Sequence, residues 1–286
     1  MPPSLEMSYA KCESLANSHY ENFPVAKMVP KRLRKHVAAV YAFARTADDI
    51  ADENHDTIAD NDPIRIRRLE EFQSQLDVSD ASKLDPRWDW IFIACADTIK
   101  KFSIPDSLFR DLISAFAQDV VKKRYADFPE LLDYCRRSAN PVGRLVLLLH
   151  GFSDDERFRM SDNICTALQL ANFWQDMSVD RLKNRIYIPE SDWNGANEAE
   201  IFADVATTRV REIVKFQVER TRGLFVAGEK LPSLLPFPLS LEIRATLAGG
   251  RAILDKIQSQ NFDTLSKRPA IGKLDKIRIL LRALIP

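Results

Sequence analysis

The stretch Val37-Ala-Ala-Val-Tyr-Ala-Phe-Ala-Arg-Thr-Ala-Asp-Asp-Ile-Ala-Asp-Glu53 leaves this chain little choice of local structure. Val37, Tyr41, Ala44, Asp48 and Asp52 recur at steps of three and four, so they share one face of a helix and cannot share a face of a strand. The first three suit a core, and the stripe then ends in two carboxylates one turn apart. Two acids on an inward face repel each other and lose hydration, which is costly unless a cation compensates. Alone, the pair reads equally well as the hydrated end of an amphipathic helix.

A second stretch repeats the pattern. Ser153 is a good N-cap, with Glu156 at the capping-box position, for a helix reaching about Arg181. On it Cys165, Gln169, Asn172, Asp176 and Asp180 again step by four or three, and an inward-facing stripe again ends in Asp-x-x-x-Asp. One such pair is weak information. Two, on separate long helices, form a specific constellation whose four carboxylates would face across a cleft if the helices are antiparallel neighbours. Such charge calls for hard divalent cations, and oxygen ligands without His or Cys favour Mg²⁺ over zinc. Mg²⁺ keeps waters and completes its shell with phosphate oxygens, which points to a diphosphate substrate above an apolar pocket. Metal-assisted departure of the diphosphate would leave a carbocation.

The remaining sequence sets the frame. Only 8 Gly occur in 286 residues, alternating strand patterns are scarce, and Ala, Leu, Arg, Lys and Glu recur at helical spacing. This reads as all-α, and no linker or repeat divides residues 1–286, so one helical domain is expected. Basic and acidic residues balance at 41 each, which gives no field for nucleic acid. The four cysteines form no CxxC pair and fit reduced thiols. No secretory signal or bilayer-length apolar run is evident, and a cytoplasmic protein is expected. Helices are expected over Ser4–Ser18, from Pro30 through the first stripe, from Pro63 to about Leu76, from Pro86 to Phe102, and over Ser107–Lys123. Others should begin at Pro129, break at Asn140-Pro141, and resume to His150, a C-terminal cap residue. The rest should form helices near Ala199–Gly228, Ser240–Gln260 and Lys273–Leu284.

Ala42-Phe-Ala-Arg-Thr-Ala-Asp-Asp-Ile-Ala-Asp52 and Asn172-Phe-Trp-Gln-Asp176-Met-Ser-Val-Asp180 resemble the two aspartate-rich motifs of the squalene/phytoene synthases. Arg185-Ile-Tyr-Ile-Pro189 resembles that family's Arg-x-Tyr-Leu-Pro, and Tyr134-Cys135 through Val142-Gly143 its Tyr-Cys segment. Arg251-Ala-Ile-Leu-Asp-Lys-Ile257 is similar to another block. The second motif departs from the commoner Asn-x-x-Arg-Asp-x-x-Glu-Asp, with Gln175 for Arg and Val179 for Glu. Together with His19-Tyr-Glu-Asn-Phe-Pro-Val-Ala26, these departures resemble the hydroxysqualene synthase branch of hopanoid biosynthesis. That branch converts presqualene diphosphate and water to hydroxysqualene and diphosphate, beside two sister pathway enzymes.

The resemblance implies an isoprenoid-synthase-type helical bundle with a central active-site cleft. It implies Mg²⁺ and diphosphate binding by Asp48, Asp52, Asp176 and Asp180, with Asn172 a metal or water ligand and NADPH not expected. Arg45 could bridge to diphosphate or pair with Asp49. Lys183, Arg185 and Tyr187 could close over the phosphates or form a solvated connector. Phe23, Tyr41 and Tyr134 could turn π faces to a developing cation or be plain core; Tyr134 gains most from the family match and is the expected catalytic aromatic, beside Asp48 and Asp176. Phe173 and Trp174 read as packing. The final Lys273–Leu284 segment packs onto the bundle or touches a membrane surface, which would make the protein peripheral to the membrane. Two rivals stay open: head-to-head prenyl condensation to squalene or phytoene, and a non-catalytic assembly factor of the same fold.

Overall fold

A computed structural model describes residues 2–19, 29–51 and 62–272, and positions 275, 276, 279, 283 and 284. Among them there is no strand, and the all-α expectation holds. No helix among the described residues is long and apolar enough to cross a membrane. The chain divides into two compact units, Met1–Lys122 with Pro141–Asp154, and Lys123–Asn140 with Asp155–Pro286.

The first unit contains α1 (Leu5–His19), α2 (Lys31–Ala51), α3 (Asp62–Ser74), α4 (Asp89–Phe102), α5 (Ser107–Val121) and nearly all of α7 (Asn140–Leu149). Its core is aromatic. Phe43 of α2 meets Phe72, Phe92 and Phe109 at ring-centroid distances of 5.0, 5.8 and 4.8 Å, and truncating a ring buried in this way costs about 3–5 kcal/mol. A buried polar knot ties α1, α2 and α4 together. Tyr9 donates to Asp97 at 2.6 Å and lies 2.9 Å from His36 Nδ1, which lies 2.9 Å from Thr98 Oγ1. Burial, with Lys101 and Lys35 adding repulsion, lowers the His36 pKa to about 4.

The helix starts need two adjustments. Pro86 lies in a turn and α4 begins at Asp89, because Asp85 captures the Arg87 N–H at 2.9 Å and closes an Asx-type turn first. The Ala199–Gly228 helix is in fact two, α10 (Glu198–Ile201) and α11 (Thr208–Gly228). Thr207 is the reason: its hydroxyl accepts from Val210 N at 3.3 Å and restarts the helix. His150 does sit at the end of α7 as a cap residue, with Nδ1 2.9 Å from Val146 O.

The second unit holds α6 (Phe128–Ser138), α8 (Asp155–Gln175), α9 (Met177–Asp180), α10, α11 and α12 (Leu239–Ser259). Helix α8 starts at Asp155, one residue later than a Ser153 N-cap would give, and packs against α11 and α12. Two glycines allow that approach. A Cβ on Gly228 would stand 2.5 Å from Ile164 Cγ1 and 2.8 Å from Met160 O, and one on Gly250 would stand 2.8 Å from Leu168 Cδ2. Trp174, fully buried, donates its indole N–H to Thr221 Oγ1 at 2.8 Å. Most of the Lys273–Leu284 segment lies outside the described residues.

Candidate active site

The described part of the first stripe lies on α2, and Cys165, Gln169 and Asn172 of the second lie on α8, but neither is the buried face. On α2 the fully buried side chains are Leu33, His36, Ala38, Ala39, Ala42, Phe43, Ala47 and Ala51, whereas Val37, Tyr41, Ala44 and Asp48 are half-buried beside them. On α8 the core takes Ile164, Ala167, Leu170, Ala171, Phe173 and Trp174, while Cys165, Gln169 and Asp176 are half-buried and Asn172 is exposed. The inward-facing expectation is therefore corrected by roughly one residue step of rotation. The physical reason is hydration: ionised carboxylates stay where water reaches them, and ligand-binding side chains must be reachable.

In the first unit, Arg45 reaches Asp49 at 2.6 Å and Asp48 at 3.3 Å. The local pair with Asp49 is thus formed, and Asp48 shares the same guanidinium. The Arg45 Nε is buried, and among the described residues it has no acceptor. An arriving oxyanion could accept from it. Burial raises the Tyr41 pKa, against the pull of Arg45. Asp52 and Phe23 lie outside the described residues.

In the second unit the helix is interrupted at the acid itself. Helix α8 ends at Gln175, Asp176 adopts φ −99°, ψ 9°, and α9 resumes at Met177. The Asp176 carbonyl accepts from both Val179 N and Asp180 N at 2.8 Å, which keeps Asp180 one turn on. The Asp176 carboxylate is held by Arg268, whose Nε donates to Oδ1 at 2.6 Å and whose Nη2 reaches Oδ2 at 3.3 Å. Arg268 escapes a sequence reading because no local pattern connects it to a motif 92 residues earlier.

Behind these acids lies an aromatic group. Tyr187 stacks on Phe173 with centroids 3.7 Å apart and planes 6° from parallel. Tyr134, 3% exposed, stands 6.0 Å from Phe173 and 5.8 Å from Tyr125. Phe173, Trp174, Met177, Ile186 and Tyr187 line a small pocket that also takes in Asp180 and Arg185. The connection after α9 is fixed to the chain before α6, with Ile186 N donating to Lys123 O at 3.0 Å and Glu190 N to Tyr125 O at 2.8 Å. Tyr187 is thereby held in the aromatic group, and Lys183 and Arg185 lie on the turn leading to it. Tyr125 is a member that the sequence does not single out.

Among the described residues no three His, Cys, Asp or Glu side chains form a ready cage. The donor set fits a hard cation nonetheless: the described candidates Asp48, Asn172, Asp176 and Asp180 are oxygen donors that are not buried, and Asp48 and Asp176 stand beside arginines suited to phosphate. Within the second unit, Asn172, Asp176 and Asp180 are the oxygen donors available to such an ion, and within the first unit Asp48 is.

Residues 15–275 match the family model described as squalene/phytoene synthase. A hydroxysqualene synthase of Rhodopseudomonas palustris is 33% identical over 253 residues, covering 87% of this chain and 82% of that protein. The chloroplastic phytoene synthase 1 of Zea mays is 27% identical over 285 residues, covering 96% of this chain and 68% of that one. A crystal structure described as squalene synthase HpnC from Alicyclobacillus acidocaldarius superposes with a TM-score of 0.82 at 39% identity, covering 92% of this chain and 97% of the other. The all-α isoprenoid synthase fold of this chain follows from that likeness.

Proposed function

The chain belongs to the squalene/phytoene synthase family, whose members are enzymes that process prenyl diphosphates and generally depend on a divalent metal, and from this premise we propose that it is a hydroxysqualene synthase acting on presqualene diphosphate. The observation that carries the proposal is the 33% identity to a hydroxysqualene synthase over most of both chains, together with Gln175 and Val179 in the second motif. Bound Mg²⁺ would supply charge that stabilises the departing diphosphate.

The residues divide the work. As the family resemblance implies, Asp48 and Asp52 of the first motif and Asn172, Asp176 and Asp180 of the second would hold Mg²⁺. Arg45 offers its unsatisfied Nε to a phosphate oxygen. The C–O bond to diphosphate breaks with its electron pair leaving on oxygen, and the cyclopropylcarbinyl cation rearranges. The faces of Tyr134, Phe173 and Tyr187 oppose the cation electrostatically and exclude bulk water until one molecule adds and loses a proton to the departing anion or to solvent. No hydride donor enters this balance, so NADPH is not required. The long, largely apolar alcohol product suits a chain working in the cytoplasm at a membrane surface near its pathway partners, and 273–284 is the stretch of sequence suited to that contact.

Purified protein with Mg²⁺ is given presqualene diphosphate or farnesyl diphosphate, with and without NADPH, and the lipids are identified by mass. Hydroxysqualene from presqualene diphosphate without NADPH is expected. Phytoene or squalene from linear diphosphates would instead select head-to-head prenyl condensation.

A further inference from the structure

Gln175 stands where the family's second motif commonly carries Arg, so this chain has lost a cation beside Asp176. The structure returns one from elsewhere. Gln175 is 5% exposed, and its side-chain amide donates to Pro269 O at 2.7 Å. The neighbouring residue on that strap, Arg268, grips Asp176 through both carboxylate oxygens.

The strap is built, not merely adjacent. Asp263, 6% exposed, accepts from Ser266 N at 3.0 Å and Leu265 N at 3.2 Å, and is paired with Arg211 at 3.1 Å. Thr264 Oγ1 lies 3.3 Å from Met177 Sδ, immediately after Asp176 in the chain. Gln260 donates to Lys267 O at 3.0 Å. Arg268 is therefore anchored on both sides, and the Gln175 amide is the anchor nearest the acid. A guanidinium at position 175 would have to be desolvated there, whereas a neutral amide with one matched carbonyl is inexpensive to bury.

We propose that Gln175 is a positioning residue: by holding the Pro269 carbonyl it sets Arg268 on Asp176, so that the second motif carries a tethered guanidinium as its resident counter-ion, which a divalent cation must displace. This rests on the metal–diphosphate function proposed above. Gln175 touches neither substrate nor metal in this role; it acts only through Arg268.

Mn²⁺ serves as the probe, its binding to the full chain followed by loss of the free-ion electron paramagnetic resonance signal, with no substrate present. Arg268→Ala is expected to tighten Mn²⁺ binding about fivefold to tenfold by freeing Asp176. Gln175→Met, which keeps the packing but removes the donor, is expected to tighten it about twofold to fivefold, and Gln175→Leu repeats the test with different packing. The double variant Gln175→Met/Arg268→Ala should match Arg268→Ala alone, because the two residues act as a unit and their effects do not add. A Gln175→Met protein with wild-type Mn²⁺ affinity, or effects that add in full, overturns the positioning role while the metal site stands. Wild-type affinity in Asp176→Asn, or no Mn²⁺ binding in any variant, overturns the metal function and this proposal with it.

Discussion

The two acidic motifs look alike in sequence and are neutralised in opposite ways. On α2, Asp48 and Asp49 share Arg45 from the same helical turn, so charge and counter-charge fold together. On α8 and α9, Asp176 takes its counter-charge from Arg268, across 92 residues. A local pair of this kind contributes only about 0.3–0.5 kcal/mol and survives any rearrangement of the rest of the unit. A distant pair exists only when the strap is in register. The described part of the first motif is therefore complete as a helix, and the second is complete only as a folded unit.

The largest test of that contrast is removal of the acids. Asp48→Asn and Asp176→Asn should each lower turnover of presqualene diphosphate by at least about 10²-fold, as loss of a metal-held charge does, with thermal midpoints near wild type. Retained activity in either variant would break the symmetry of function between the motifs. Next in size is Gly228→Ala, whose added methyl meets Ile164 and the Met160 carbonyl. It should cost about 1–3 kcal/mol in denaturant unfolding and lower turnover as α8 shifts. Unchanged stability would mean that α8 is not held tightly.

The units also differ in their response to pH. His36 in the first unit has a folded pKa lowered to about 4. Its unfolded form binds the proton first, so the stability it confers is present above about pH 6.5 and is lost as pH falls towards 4. Glu242 in the second unit is raised to about 7 by burial. Its contribution is present below about pH 4.5 and is lost as pH rises through 7. Glu242→Gln should accordingly gain about 1 kcal/mol relative to wild type at pH 8 and little at pH 4.5, read by urea midpoints. An equal gain at both pH values would refute the titration. The smallest effect is expected for Arg45→Ala: a stability change below about 0.5 kcal/mol beside a raised KM for the diphosphate, and a large loss of stability would show that the local pair is structural.

Legibility follows the same division. The helices around both stripes are readable because period and caps are local signals, as at Asp127, whose side chain accepts from Glu130 N before Pro129 enters α6. The rotation of each stripe is not, since Val37 and Tyr41 are apolar enough for a core and only packing against Phe72 and Phe109 selects Phe43 instead. The break before α11 carried a signal in Thr207, outweighed by continuous apolar spacing. At the site, Asp48, Asp176, Asp180 and Tyr134 could be named from spacing and family likeness. Tyr125 and Arg268 could not, because a ring contact and an ion pair made through tertiary folding leave no periodic trace.

The close fit of α8 against Gly228 and Gly250 makes this helix a keyed shaft. Successive residues on it are set about 100° apart, so the turn that shows Asn172 and Asp176 to solvent must also deliver Phe173 to the aromatic group and Trp174 to Thr221. Sliding or rolling the helix by one position would exchange an acid for the amide of Gln175. The keys at Ile164 and Leu168 lie eight to twelve residues before Asp176, about 12–18 Å along the axis. The angular tolerance of the acids is thus set far from them, by two residues that have no side chain at all.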